Sequence, residues 1–221
     1  MSLRGSARLY LGLDESENFV ADIQGYDNNT YKLAVDIAAG LAAKSRFAGQ
    51  LRCRHYSVLH HTHLVGRCAE HLELPNDVVR QAYLHDVGEA FFVDIPTPIK
   101  TAHDKQREDA IVKAISNLLS YDIEEKCDDL AVIDTVAALV EASVLGFPSE
   151  WTWVQKELME LDYLGKKACS FMWSYLLQSG WFQTNKEAAI TYFSENIEVD
   201  TFAINKLVND FPTVLQRLEV I

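Results

Sequence analysis

The stretch SVLHHTHLVGRCAEHL, residues 57–72, decides the fold class. Val58, His61, Val65, Cys68 or Ala69, and Leu72 recur at three- and four-residue spacing, the period of a helix with one inward face. Ser57 stands just before the first of them, where a hydroxyl can cap free backbone N–H groups. One position in the stripe is out of character: His61 puts an ionisable group where the pattern asks for a hydrocarbon.

The helical period continues on both sides. Upstream, Leu33, Ile37 and Leu41, with Ala34 and Ala38 beside them, predict a helix from Thr30 to about Phe47-Ala48-Gly49, where Gly49 is the stop signal. Downstream, Leu74-Pro75-Asn76-Asp77 breaks the pattern and starts a helix from about Val78 to Ala90. Pro96 and Pro98 then force an extended turn, because a proline disfavours a helical residue before it. Helical patterns resume at about 103–120 (Ile111, Ile115, Leu118) and 128–145 (Leu130, Ile133, Ala137, Val140). A further pair covers about 151–180 and 186–209, interrupted near Gly180. There is no sustained apolar/polar alternation, repeat or low-complexity linker. The expected fold is all-α, a single-domain bundle of about seven helices. Residues 1–29, polar and dotted with Gly5, Gly12 and Gly25, read as an N-terminal arm with a short extended piece at Phe19-Val20-Ala21. Residues 30–221 form the domain, including a C-terminal helical extension.

Composition agrees. The 221 residues are 48% apolar and 24% charged, close to the averages for soluble globular proteins. A chain of this length buries roughly 70% of its unfolded surface, enough for one core without disulfides or structural metals. Met1–Arg8 has basic residues but no apolar run after it, so it is not a secretory signal. No stretch approaches the ~20 apolar residues of a membrane span. Cys53, Cys68, Cys127 and Cys169 lack C-x-x-C spacing and read as free thiols of a reducing cytoplasm. With 20 basic against 32 acidic side chains, the charge of −12 argues against a nucleic-acid polymer as partner, since backbone binding rests on clustered Lys and Arg. The expectation is a cytoplasmic protein with neither a membrane nor a nucleic-acid polymer as partner.

Two further anomalies match His61. His85-Asp86 end a helix whose inward positions include Val78, Val79 and Ala82, and Asp134 lies between Ile133 and Val136 in an otherwise apolar helix. A buried carboxylate beside a buried imidazole is costly unless paired or metal-bound. A lone core histidine with a local hydrogen-bond partner would account for His61 alone. Three helices each present a metal-capable group to a common interior, and imidazole and carboxylate together suit divalent cations such as Mn, Co, Zn, Mg or Fe.

The surrounding text carries a resemblance. Arg46-Phe47-Ala48-Gly49 and Tyr56-Ser57-Val58-Leu59-His60-His61-Thr62 resemble the RF-x-G and YSV-x-x-H-[ST] blocks of small bacterial and phage HD-domain metal-dependent phosphohydrolases. Leu84-His85-Asp86-Val87-Gly88-Glu89-Ala90, followed by Asp94-Ile95-Pro96-Thr97-Pro98-Ile99-Lys100, is similar to their LLHD-x-x-EA…GD-[IL]-PTP-x-K block. Asp134-x-x-x-x-Leu139-x-Glu141 matches the last block. The resemblance spans about Ala34 to Glu141 and is nearest to the 5′-deoxynucleotidases and the compact phage dATP triphosphohydrolases. His60 departs from it, standing where the nucleotidases usually have Glu, and Val93 stands where Gly is usual.

The resemblance implies that His61, His85, Asp86 and Asp134 hold one divalent cation, with remaining coordination positions for water and a phosphate oxygen. It implies that Glu89 handles the proton near the attacking water; three residues after Asp86, it falls on the same helical face. Asp94 would orient water or contact the sugar, or else cap its turn. Arg46, fifteen residues before His61, matches the phosphate-binding arginine, and a guanidinium suits bidentate phosphate contact. Phe47 would pack on sugar or base, or belong to the core, and Lys100 would hold additional phosphates, or be a solvated lysine. His55, His63, His71 and His103 read as surface residues, and Trp151, Trp153 and Trp173 as C-terminal core.

The implied activity is hydrolysis of the 5′ phosphoester of a deoxynucleotide, dNMP to deoxynucleoside plus phosphate. The alternative is a dNTP triphosphohydrolase releasing triphosphate by the same attack, and a second alternative is a non-catalytic HD nucleotide sensor. An alarmone hydrolase fits less well, because Ala90 follows Glu89 where those enzymes have an acidic residue. Self-association into a dimer or larger homo-oligomer is implied by resemblance alone.

Overall fold

The computed structural model of the chain describes Tyr26 and residues 29–49, 55–92, 101–123, 127–145, 151–181 and 201–221. Among these residues there are eight α-helices: α1 (Thr30–Ala43), α2 (Val58–His71), α3 (Asn76–Leu84), α4 (Ala102–Leu119), α5 (Asp128–Leu145), α6 (Trp151–Met159), α7 (Tyr163–Gln178) and α8 (Thr201–Arg217). Two 3₁₀ turns, Arg46–Gly49 and Val87–Ala90, complete the set. No strand occurs among the described residues; a single antiparallel bridge joins Ser45 to Ser57. The fold is an all-α, single-domain bundle. The expected extended piece at Phe19-Val20-Ala21, together with Cys53, Asp94 and Lys100, lies outside the described residues.

The helix starts follow their capping chemistry. The Ser57 hydroxyl accepts from the His60 N–H while His60 Nδ1 accepts from the Ser57 N–H, a reciprocal capping box at the head of α2. Thr101 and Asp104 do the same for α4. Asn29 and Asp162 cap α1 and α7, their side chains accepting from Lys32 N and Gly165 N.

The central helix is α2, which packs against α1, α3, α5, α7 and α8. The expected stripe of α1 (Leu33, Ala34, Ile37, Ala38, Leu41) is wholly buried, as are Val58 and Val65 of α2 and Leu130, Ile133, Ala137 and Val140 of α5. Two glycines set the closest approaches. A methyl group on Gly66 would lie 2.4 Å from the Tyr83 ring, so the bare Gly66 backbone of α2 makes the room that the Tyr83 ring of α3 occupies. A methyl group on Gly40 would lie 2.4 Å from the Ala90 carbonyl oxygen, so α1 lies directly against the 87–90 turn.

Several expected boundaries move. Helix α1 stops at Ala43 rather than running to Gly49, because Lys44 is extended and Phe47 takes a left-handed φ of 54°. The helix expected from Val78 to Ala90 ends at Leu84; Asp86 (φ −106°, ψ 11°) leaves the α region and opens the tighter 87–90 turn. The 151–180 segment divides at residues 160–162, where the Asp162 cap starts a fresh helix. The last helix covers Thr201–Arg217 and carries Pro212 within it; residues 186–200 of the expected 186–209 helix lie outside the described residues.

Candidate metal centre

Three elements bring the anomalous side chains together. His61 comes from the middle of α2, His85 and Asp86 from the end of α3, and Asp134 from the second turn of α5. His61 Nε2 lies 3.0 Å from Asp134 Oδ1, 3.3 Å from His85 Nε2 and 3.6 Å from Asp86 Oδ2. His85 Nε2 lies 3.2 Å from Asp86 Oδ2 and 3.7 Å from Asp134 Oδ1. The two imidazoles are buried, and the Asp86 and Asp134 side chains are 13% and 28% exposed, so the cluster has one side open to solvent.

The other ring nitrogens settle which atoms face inward. His61 Nδ1 is 2.8 Å from Glu141 Oε1, and His85 Nδ1 is 2.9 Å from the Ala82 carbonyl oxygen. Both partners can only accept, so both Nδ1 atoms carry hydrogen and donate. Two Nε2 atoms and two carboxylate oxygens therefore converge, and Asp86 Oδ2 is buried without a hydrogen-bond donor. Such a meeting of electron pairs stands only if protons or a cation lie among them.

Protons are one answer. Burial works against charge on His85, but the facing carboxylates, Asp86 first and then Asp134, outweigh it and push its pKa up to about 10. Burial and the Arg46 guanidinium oppose charge on His61; Glu141 and Asp134 overcome them and raise its pKa. Burial would raise both aspartates, yet the facing histidines hold Asp86 and Asp134 well below the usual carboxylate range. A cation is the other answer. His61, His85 and Asp86 each offer a ligand atom, all within 4.8 Å of one another, and this group could hold a metal ion. Metal–ligand bonds of about 2.1 Å place neighbouring ligands about 3.0–3.4 Å apart. Three of the contacts around His61 and His85, at 3.0, 3.2 and 3.3 Å, are of that size, and two, at 3.6 and 3.7 Å, are longer.

Arg46 belongs to the same neighbourhood. Its Nε is buried 3.6 Å from Glu141 Oε2. Burial alone would loosen its proton; the charges of Glu141, Asp86, Glu89 and Asp134 more than compensate and raise its pKa. Phe47 beside it is half-buried, its ring under the Arg46 guanidinium at 5.4 Å, and it packs against apolar residues of the core. Glu89 is half-buried in the 87–90 turn, its backbone N–H bonded to the Asp86 carbonyl oxygen at 2.9 Å. The expectation that Asp86 and Glu89 share an α-helical face is corrected: they share a 3₁₀ turn, in which residues three apart eclipse one another.

Three side chains here carried no role in the sequence reading. Glu141, fully buried, accepts from His61 Nδ1 and from the Tyr56 hydroxyl (3.0 Å) while facing Arg46. Tyr56 is the second. The third is Lys44, whose ammonium donates to the backbone carbonyl oxygens of Glu89 and Phe92. Glu141 had a signal: an acid between Val140 and Ala142, seven residues and two turns beyond Asp134.

The remaining histidines divide. His60 is buried, stacked on Tyr56 and edge-on to Trp181; burial, then the charges of His55 and His63, push its pKa down to about 3, so it stays neutral. His63 is not a surface residue as expected. It contacts Tyr83, Tyr175 and Trp181, and burial first, with Arg67 next, lowers its pKa to about 4. His55 is half-buried between Ser45 and the Ala42 carbonyl, while His71 and His103 are exposed as expected. Trp173 is half-buried against the core; Trp181, not Trp173, is the buried tryptophan among the described side chains. Among the described residues, no helix is long and apolar enough to cross a membrane. No protein-family model and no curated protein matches the chain.

Proposed function

We propose that this protein is a divalent-metal-dependent phosphohydrolase of the HD type that hydrolyses the 5′ phosphoester of deoxynucleotides, turning a dNMP into deoxynucleoside and phosphate. The observation that carries the reading is the convergence of His61 Nε2, His85 Nε2 and the carboxylates of Asp86 and Asp134, with both Nδ1 hydrogens committed elsewhere. Those four residues hold the cation, which when bound lowers the pKa of water and neutralises phosphoryl charge. Arg46, kept fully charged by four surrounding carboxylates, orients the phosphate. Glu89, whose charge acts on that same guanidinium, takes and returns the proton. The choice of deoxynucleotide rests on the resemblance of the Arg46, His61, His85-Asp86 and Asp134 blocks, as does assembly into a homo-oligomer.

The test is a panel of dNMPs, NMPs and dNTPs with Mn, Co, Mg or Zn, resolving phosphate from triphosphate. Phosphate release from dNMPs that stops with EDTA is expected. Release indifferent to EDTA, or none from any nucleotide by metal-loaded protein, overturns the proposal. Equal turnover of ribonucleotides removes the deoxy preference, and triphosphate released from a dNTP assigns the triphosphohydrolase alternative instead.

A further inference from the structure

Glu141 is a carboxylate with no exposure at all, an expensive thing to bury unless its oxygens are matched by donors. Its partners come from two other parts of the chain. Oε1 accepts from His61 Nδ1 at 2.8 Å and from the Tyr56 hydroxyl at 3.0 Å. Oε2 makes no hydrogen bond and faces Arg46 Nε at 3.6 Å. One side chain of α5 thus ties down the imidazole in α2 and the guanidinium in the 46–49 turn.

We infer that Glu141 is a positioning residue that orients both the metal-facing imidazole of His61 and the phosphate-facing guanidinium of Arg46. The inference rests on the metal-centre reading above. A carboxylate cannot donate, so contact with Oε1 fixes hydrogen on His61 Nδ1 and leaves the Nε2 electron pair towards Asp86 and Asp134. The same carboxylate turns the Arg46 side chain inward, because its second oxygen has no other partner. The Glu141→Gln amide matches the size but not the pattern. If its oxygen serves His61, its NH₂ meets Arg46 donor to donor; if reversed, its NH₂ meets the His61 N–H.

Two quantities besides turnover read this role: Zn²⁺ affinity of the metal-free protein by titration calorimetry, and binding of inorganic phosphate to the metal-loaded protein. Glu141→Gln is expected to weaken Zn²⁺ binding about 10–100-fold, the usual cost of losing an outer partner of a ligand histidine. Phosphate binding should weaken with it. Tyr56→Phe, which removes one donor to Oε1 but keeps the carboxylate that faces His61 and Arg46, should lower thermal stability while leaving Zn²⁺ affinity within about threefold, well inside that range. If Glu141→Gln does not fold, Glu141→Asp, which keeps the charge and loses reach, should show a smaller loss in the same direction. Wild-type affinity retained by the folded Glu141 variant overturns the inference and leaves the metal centre standing. A wild-type protein that takes up no metal overturns the metal centre itself, and the inference with it.

Discussion

The Lys44 ammonium at the end of α1 reaches the backbone carbonyl oxygen of Glu89, forty-five residues on, and that of Phe92 just beyond it. The same residue's own carbonyl accepts from Val58 N (2.9 Å), and Arg46 N donates to the Tyr56 carbonyl (2.8 Å). Residues 44–46 therefore pair with the head of α2 on one side and hold the Glu89 turn on the other. Removing the ammonium while keeping the stem isolates that second link. Lys44→Met should cost about 1 kcal/mol of stability, the low end of the range for carbonyls left without their donor, because both contacts are only half-buried. It should lower kcat on the preferred nucleotide, with Zn²⁺ affinity unchanged, because no ligand residue moves. A variant with wild-type kcat would separate Lys44 from the placement of Glu89.

Asp86→Asn tests the cluster from inside. The amide keeps the shape but removes the charge that leads the upward shift of His85, and it puts a poorer ligand where Oδ2 stands. Loss of an outer partner alone costs about 10–100-fold in metal affinity, so loss of a ligand charge should exceed about 100-fold. Metal content after dialysis measures it directly. A variant retaining one equivalent of metal would remove Asp86 from the ligand set.

The helices were legible because each repeats its apolar residues at the helical period over several turns, as α1, α2, α4 and α5 do. The interruption at Asp86 was not: it depends on one backbone leaving the α region, and Val87-Gly88-Glu89-Ala90 continues the helical text through it. The site was legible wherever a charge interrupted an apolar stripe, which is how His61, the His85-Asp86 pair and Asp134 stand out. Glu141 gave the same signal, yet its partners lie 80 and 85 residues away in sequence, and no local pattern encodes such a meeting. Lys44 carries no local signal, because its partners are backbone carbonyls 45 and 48 residues away. His63 misled for a related reason: its aromatic neighbours come from α3, α7 and the chain just after α7.

The pH dependence of stability distinguishes the proton-filled cluster from the metal-filled one. His85 has an ordinary pKa of 6.5, raised to about 10 in the metal-free fold. Below 6.5 both folded and unfolded chains hold the proton, and its stabilisation is complete; as pH rises towards about 10 the unfolded chain releases it first, and the stabilisation fades. Asp86 and Asp134 run the other way, stabilising above their ordinary value of 3.8 and failing as pH falls below it. A bound cation takes the place of the proton on His85, so the loss at high pH should vanish. The Tm of metal-free protein should fall from pH 6.5 to about 10 more steeply than that of Zn²⁺-loaded protein, and Zn²⁺ binding at neutral pH should release protons to the buffer. Parallel Tm curves with no proton release would mean that His85 is not a ligand.

Gly40→Ala probes how closely the Glu89 turn must lie against α1. Alanine favours a helix interior over glycine by about 1 kcal/mol, so propensity alone predicts a more stable protein. The added methyl, however, would sit 2.4 Å from the Ala90 carbonyl oxygen and 3.0 Å from its carbonyl carbon and Cα. All three are backbone atoms, and no side-chain rotation can relieve them. Overpacking of this kind costs about 1–3 kcal/mol, which outweighs the gain in propensity. The turn has to move away from α1, carrying Glu89 with it and stretching the Lys44 contacts. Gly40→Ala should therefore melt below the wild type and lose kcat in the manner of Lys44→Met, while still binding Zn²⁺ through ligands on α2, α5 and the end of α3. Combining it with Lys44→Met should add little further loss of kcat, since both act on the same turn. A more stable and fully active Gly40→Ala protein would show that α1 and the 87–90 turn lie farther apart than this packing requires.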